Sequence, residues 1–394
     1  MIKTTASPRI LLFSEIFPPV HGGSGRWFSE IYGRFPEGSA AFLVGDHEQA
    51  QHYDAGIRHP VYRENLSSPE WGVRSWKGFT FYLGQWRRLR QVVRKEAVTR
   101  VHCGRVLPEG VPALLLNFTN RIPFSCYVHG EDVETVLASR ELTWLTRQVM
   151  RHAEQIICNS ENSRRILEQK WQLPKDKILV MTPGVDVDRF APDHNAPRPE
   201  SWGDRPVILT VGRLQKRKGQ DMMIRALPAL REKWPDILYA IIGGGKEWES
   251  LHQLARELDV SDHVLFMGEV DDLQMVNAYR HCSLFALPNR RVGNDDEGFG
   301  MVLLEAQACG KAVLAGNSGG TRETMREGET GKIVDCTRED ALADAVSKML
   351  GNEQRLQAMG ESARSHVVEQ FCWTNLATKA YRFFYPDSGQ SPSG

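Results

Sequence analysis

The chain has 394 residues, 41% of them hydrophobic and 25% charged. That suits two or three globular domains and excludes a disordered chain, a collagen-like repeat or a small disulfide scaffold. Lys and Arg total 49, as do Asp and Glu, so the net charge gives no support to nucleic-acid binding and leaves only local basic patches to consider.

The elements read in chain order as short apolar runs alternating with helix-period segments. Arg9–Phe13 is a first strand, followed by the loop Phe17-Pro18-Pro19-Val20-His21-Gly22-Gly23-Ser24-Gly25 and a helix near Gly25–Gly33. Ala41–Val44, Arg100–Cys103, Phe124–Val128, Gln155–Cys158 and Lys177–Met181 continue the strand pattern, with helices over Glu141–Arg151 and Ser160–Gln169. Apolar strands separated by helices imply parallel sheets with crossover helices. The stretch Ala191–Pro206, with Pro192, Pro197, Pro199 and Pro206, reads as a linker. Strands then resume at Val207–Gly212, Ile237–Ile242, Val264–Phe266, Ser283–Leu287, Ala312–Leu314 and Lys332–Val334, with helices at Gln220–Arg231 and Glu247–Asp259. Trp373–Phe384 is a last helix that can return to the first half. The expected division is a first domain over residues 1–195 joined by the helix of 373–390, a linker at 196–206, and a second domain over 207–372. In such folds ligands bind outside the carboxyl ends of the strands, so the loops that follow strands, in a cleft between two facing sheets, are where chemistry is sought.

Four loops qualify. Gly22 and Gly23 let backbone N–H groups approach an anion at a helix start, or simply make a tight strand–helix turn. The dinucleotide pattern G-x-G-x-x-G fails at Phe28, which argues against a dehydrogenase. His129, in His129-Gly130-Glu131-Asp132 after the Phe124–Val128 strand, can serve a sugar hydroxyl or a developing charge; an ordinary histidine satisfied by local backbone is the other reading. Val211-Gly212-Arg213-Leu214-Gln215-Lys216-Arg217-Lys218-Gly219 offers Arg213 as a planar fork and Lys218 as a point charge for a diphosphate, or is a solvated basic turn. In Asp295-Asp296-Glu297-Gly298-Phe299-Gly300-Met301-Val302-Leu303-Leu304-Glu305, Glu297 precedes a helix and Glu305 lies two turns in, both along one side. Free N–H groups from Phe299 to Met301 then face a ligand. Without a ligand, Glu297 is a helix-dipole partner and Glu305 an exposed helix residue. Ser318-Gly319-Gly320 makes another glycine turn into a helix.

Taken together, these residues resemble the retaining glycosyltransferases of family 4, which have the GT-B fold: an α/β architecture of two doubly wound Rossmann-like domains facing across a cleft, with the C-terminal helix returning to the first domain. The resemblance spans residues 9–385. It rests on the Gly-Gly-Ser-Gly loop, His129-Gly130-Glu131-Asp132, Pro183-Gly184-Val185-Asp186 with Phe190 and Pro192, Arg213 with Lys218, and the Glu297/Glu305 pair. It implies an acceptor-binding first domain and a nucleotide-sugar-binding second domain. Gly22 and Gly23 would face the donor phosphates, His129 the transferred sugar, and Arg213 and Lys218 the diphosphate leaving group. Glu297 would bind sugar hydroxyls, Gly298, Phe299, Gly300 and Met301 would line the donor site, and Glu305 would bind the ribose. The catalytic set is His129, Glu297, Arg213 and Lys218. No metal or other cofactor is expected, because the cations stabilise the developing negative charge. Asp186-Val187-Asp188 is accordingly read as a structural turn and not as a metal-binding D-x-D. The run from Leu303 to Gly310, with Ala315-Gly316 and Ser318-Gly319-Gly320, looks most like bacterial phosphatidylinositol mannosyltransferases, which use GDP-mannose. A hexosyltransferase acting on a lipid or saccharide is therefore expected. The alternatives are a UDP-glucose- or UDP-GlcNAc-dependent transferase, a nucleotide-sugar epimerase of the same fold, a phosphorylase (which needs a far longer chain) and a non-catalytic nucleotide-sugar-binding protein.

Trp71–Arg100 sets Arg74, Lys77, Arg87, Arg88, Arg90, Arg94, Lys95 and Arg100 against the single acid Glu96. Its apolar stripe of Phe79, Tyr82, Leu83, Trp86, Leu89 and Val93 has helical spacing. This is either a surface helix packed on the first sheet or a contact with anionic membrane. The seven cysteines are scattered without a C-x-x-C, the reduced thiols of a cytoplasmic protein. The start Met1–Pro8 lacks a signal-peptide core, and no apolar run approaches the about 20 residues of a spanning helix. The expectation is a cytoplasmic protein whose membrane contact, if any, is peripheral at the inner face.

Overall fold

A computed structural model describes residues 8–20, 22–68 and 70–386; His21, the first seven residues and the tail from Asp387 lie outside them. The chain forms two compact units, one of residues 1–183 with 373–394 and one of residues 184–372.

The first unit holds a seven-stranded parallel sheet of β1 (Ile10–Ser14), β2 (Ala40–Gly45), β3 (Val61–Glu64), β4 (Arg100–Cys103), β5 (Phe124–Val128), β6 (Ile156–Cys158) and β7 (Ile178–Val180), in the order β3-β2-β1-β4-β5-β6-β7. β1, β2 and β5 are buried at every residue, as strands covered by crossover helices on both faces must be. The strand pattern did not reveal β3. Val61-Tyr62-Arg63-Glu64 is a half-exposed edge strand, and Arg63 pairs with Asp54 and donates to the carbonyls of Gly45 and Pro18. The last helix, Trp373–Phe384, packs on the Gly23–Tyr32 helix, with Tyr381 and Phe384 against Phe35 and the Tyr385 hydroxyl on the Ser39 carbonyl.

The second unit holds a six-stranded parallel sheet of β8 (Val207–Val211), β9 (Leu238–Ile242), β10 (Val264–Gly268), β11 (Leu284–Leu287), β12 (Val313–Gly316) and β13 (Gly331–Val334), in the order β10-β9-β8-β11-β12-β13. Each sheet reverses its strand order once, at β1/β4 and at β8/β11. These are the switch points at whose carboxyl edge open α/β sheets bind ligands.

The unit boundary falls earlier than the expected 195/196, and the proline-rich stretch is not a free linker. Val185, Val187 and Phe190 are buried in the second unit's core. The Val185 N–H donates to the Phe371 carbonyl, and Arg364 donates to the carbonyls of Val187, Phe190 and Ala308. Further on, Trp202 is fully buried, and Arg198 donates to the carbonyls of Gly203, Arg205 and His281. Arginine–carbonyl bonds and one tryptophan hold a segment whose composition has little apolar content of its own.

The basic stretch forms one helix, Trp76–Lys95, capped by the Ser75 hydroxyl accepting from the Gly78 N–H. Its buried face is Tyr82, Gln85, Leu89, Val92 and Val93, rotated from the expected stripe. Phe79 is exposed and stacks on Trp76, which is 78% exposed. No helix of the described residues is long and apolar enough to cross a membrane.

Candidate functional site

In the second unit, the loop after β8 turns through a short 3-10 segment, Lys216–Lys218, into the Gln220–Lys233 helix at Gly219. Gly219 has φ +76°, and a Cβ there would lie 1.8 Å from the Pro288 carbonyl oxygen. Only glycine lets this loop approach the one after β11. The loops are also tied by the Arg290 N–H donating to the Arg217 carbonyl and by a two-pronged Arg290–Asp221 pair at 2.8 and 2.7 Å.

This approach buries an ion cluster. Lys218 Nζ and Arg217 Nη1 lie 2.7 and 2.5 Å from the same oxygen, Glu297 Oε2. Arg217 Nε lies 3.0 Å from Asp295 Oδ1. Glu297 is 7% exposed and Arg217 5%. Burial is the largest influence on the Glu297 carboxyl and pushes its pKa up, but Lys218 and Arg217 together outweigh it and hold it below the usual carboxylate range. Arg213 differs in being exposed, and its guanidinium has no ion-pair or hydrogen-bond partner among the described residues. So the structure brings Glu297 and Lys218 together and leaves Arg213 available to a ligand. Arg217, passed over in the sequence beside the two more regularly placed cations, is the third member.

The Glu297 backbone is equally fixed. Its carbonyl accepts from the Gly320 N–H at 2.9 Å, and its N–H donates to Asp296 Oδ1, which also accepts from Ser318. Asn289, almost wholly buried, donates to the Ser318 carbonyl and accepts from the Gly316 N–H. Thus the glycine turn Ser318-Gly319-Gly320 braces the Glu297 loop, a role that its spacing alone did not show.

Two expectations for this loop change. The helix begins at Met301, with Gly300 as its N-cap at φ +94°. The free N–H groups at its start therefore belong to Met301 and Val302, while the Phe299 ring is in the core beside Phe371. Glu305 lies just over one turn in and is only 2% exposed; it is neither a surface residue nor linked to Glu297, and its Oε2 accepts from the Tyr279 hydroxyl.

A hollow of about 1160 Å³ in this unit lies at the other, amino edge of the sheet, beside Pro206, Ser283 and Ala312. Its arginines Arg198 and Arg364 already donate to backbone carbonyls, so it offers anions far less than the carboxyl edge does.

In the first unit, Gly22 caps the Gly23–Tyr32 helix, and a Cβ on Gly22 would meet nothing within 4 Å. Gly25 is the glycine that packing requires, its Cβ position being 3.2 Å from Phe17 Cα. His129 follows β5. Its Nδ1 lies 3.2 Å from Ser24 Oγ and its Nε2 3.0 Å from the Gly104 carbonyl oxygen. Its N–H donates to Asp132 Oδ1, and the edges of Trp27 and Phe28 flank its ring. Gly22, Gly23 and His129 thus share one neighbourhood through Ser24, at the β1/β4 switch. Beside it, Arg105 pairs with Glu15 and Glu109 and lies over Trp71, a cluster no sequence motif announced. A hollow of about 510 Å³ at the same edge is lined by Glu15, Asp46, Asn65 and their neighbours. Asp186 Oδ1 accepts from the N–H groups of Asp188 and Arg189, a local turn within the Asp-Val-Asp run. Among the described residues no three His, Cys, Asp or Glu side chains cluster as a metal site.

Residues 194–366 match the model of glycosyl transferases group 1, and residues 44–189 that of glycosyltransferase family 4. A GDP-mannose-dependent alpha-(1-6)-phosphatidylinositol monomannoside mannosyltransferase of Mycolicibacterium smegmatis is 32% identical over 387 residues, covering 92% of this chain and 95% of the relative. A D-inositol 3-phosphate glycosyltransferase of Corynebacterium aurimucosum is 34% identical over 245 residues, 59% of this chain and 57% of that one. Among solved structures, Anabaena HepE in complex with UDP has a TM-score of 0.78 at 18% identity, covering 95% of this chain and 99% of that one. The chain is a glycosyltransferase of family 4 with the GT-B fold.

Proposed function

We propose that the protein transfers mannose from GDP-mannose to a hydroxyl of an inositol-containing glycolipid, with the anomeric configuration retained and without a metal. The observation that carries this reading is the charge arrangement in the loop after β8: Lys218 on Glu297 Oε2, with Nζ 3.9 Å from the Cβ position of Gly212, and the exposed, uncommitted Arg213 next to Gly212 in the chain. A lysine ammonium has three donors, so Lys218 can keep Glu297 and still meet a diphosphate. Arg213 and the N–H groups that open the Met301–Ala308 helix complete the anion site. These groups stabilise the charge that develops on the leaving diphosphate, the work a metal does elsewhere. Glu297, kept ionised by its two cations, accepts hydrogen bonds from hexose hydroxyls. His129 serves the transferred sugar, and the first unit takes the acceptor.

GDP-mannose and the phosphoinositide acceptor are supported by the relative that matches along nearly the whole chain and carries both in its name. A lipid-borne acceptor also suits the first unit's surface. Trp76, Phe79, Phe118 and Trp144 are exposed aromatics on helices that pack side by side, with Arg74, Lys77, Arg87 and Arg88 exposed nearby. Aromatic and basic side chains together suit peripheral contact with an anionic interface.

The test is thermal stabilisation by GDP, UDP, ADP and NAD side by side, followed by transfer from labelled GDP-mannose to a lipid extract. A ligand at 100 times its Kd adds about 2.7 kcal/mol. A selective GDP shift and an α-linked labelled lipid are expected. A selective UDP shift redirects the reading to glucosyl or N-acetylglucosaminyl transfer, and turnover without an acceptor to an epimerase. No shift with any nucleotide overturns it.

A further inference from the structure

Arg217 belongs to the cluster but is built differently from Arg213 and Lys218. Its guanidinium is 5% exposed and pairs with two carboxylates of the chain itself, Glu297 through Nη1 and Asp295 through Nε. Its backbone carbonyl accepts from the Arg290 N–H, so the residue is fixed at both ends to the loop that carries Glu297. Both cations bind the same carboxylate oxygen. Glu297 Oε2 takes Arg217 and Lys218, while Oε1 has no donor among the described residues.

A single cation would leave Glu297 Oε2 with one charged partner, whereas Lys218 and Arg217 hold that oxygen between two. Asp295, whose Oδ1 lies 3.0 Å from Arg217 Nε as an ion pair without hydrogen-bond alignment, anchors the guanidinium in turn. We infer that Arg217 is a positioning residue: it holds Glu297 Oε2 in the cluster so that Oε1 is presented to the donor's hexose. It therefore governs turnover and sugar choice and leaves nucleotide binding to Arg213 and Lys218. This rests on the donor-site reading above.

The test compares the full-length wild type with Arg217→Gln and Arg217→Lys. It measures GDP affinity by calorimetry, kcat and KM with the hexose donor that the wild type turns over, and the pH profile of kcat. The charged groups around Glu297 are Lys218 and Arg217, with Asp296 next to it in the chain and Asp295 on the far side of Arg217. Removing Arg217 leaves Lys218 as the single cation on Glu297, so the acid limb of the profile moves to higher pH in Arg217→Gln and stays near the wild-type position in Arg217→Lys. Arg217→Gln lowers kcat by about 10- to 150-fold, the worth of one charge-assisted contact, with GDP affinity unchanged; Arg217→Lys recovers part of the rate. Circular dichroism and Tm establish that each variant folds. If Arg217→Gln does not, Arg217→Lys decides through its lowered kcat at unchanged GDP affinity. Unaltered kcat and pH profile in a folded variant overturn the proposal. So does a fall in GDP affinity that matches the fall in kcat, which would make Arg217 a phosphate ligand. A wild type that binds neither GDP nor any sugar nucleotide overturns the donor-site reading itself, a result separate from either variant's behaviour.

Discussion

The Tyr279 hydroxyl donates to Glu305 Oε2 across 2.6 Å inside the core of the second unit. The second glutamate of the Glu297/Glu305 pair is therefore a buried polar group that accepts from a phenol, and its first effect is on stability. Tyr279→Phe removes one donor from an almost fully buried acceptor, which costs about 1–3 kcal/mol. The expected outcome is a lower urea midpoint with GDP affinity reduced by less than tenfold. A variant as stable as the wild type would show that this bond contributes little.

Lys218→Ala tests the diphosphate assignment from the opposite side. It removes a cation from the loop that carries Arg213 and takes one of two counter-charges from Glu297. GDP affinity should fall by about 10- to 150-fold. Glu297→Gln should leave GDP affinity within that of the wild type, because the amide keeps the shape, while transfer is lost. Unchanged GDP binding in Lys218→Ala would remove Lys218 from the anion site, and full turnover in Glu297→Gln would remove Glu297 from the sugar site.

How far the sequence could reach is visible in these residues. The two sheets were legible because β1, β5, β8 and β9 are apolar runs between helices, and the switch-point loops follow from counting strands. Arg213, Lys218 and Glu297 were legible because charged residues with flanking glycines stand out after an apolar strand. Arg217 was not, since nothing in Lys216-Arg217-Lys218 says which of three adjacent cations turns inward; that depends on Asp295 and Glu297, about 80 residues away in the chain. The burial of Glu305 was not legible because a carboxylate on a helix is usually solvated, and its partner Tyr279 has no fixed spacing to it. Residues 184–206 were read as outside the second unit because arginine–carbonyl bonds leave no hydrophobic period to detect.

Trp76 and Phe79 are stacked, exposed, and at the start of the basic helix. If they contact lipid, Trp76→Ser with Phe79→Ser lowers co-sedimentation with anionic vesicles at low salt without altering GDP affinity, since neither residue belongs to the second unit. Raising the salt should weaken wild-type binding as well, because exposed charges are screened over about 10 Å at 0.1 M. Equal co-sedimentation of variant and wild type would exclude this patch as the contact.

His102 gives a pH dependence to the first unit. It sits on β4, almost wholly buried, with Nδ1 2.5 Å from the Tyr32 hydroxyl, which also meets the Tyr127 hydroxyl at 2.9 Å. Burial, and after it Arg100, pushes its pKa down from 6.5 to about 3. The folded state therefore keeps the imidazole neutral at pH values where the unfolded chain binds a proton. Stability from this group is complete above pH 6.5 and is lost as the pH falls from 6.5 toward 3. The loss by pH 5 is about 2 kcal/mol. His102→Asn, which cannot take up the proton, should be less stable at pH 7.5 but should flatten this part of the acid limb in a urea titration repeated from pH 7.5 to 4.5. A variant with the same slope as the wild type would assign the acid sensitivity to groups other than His102.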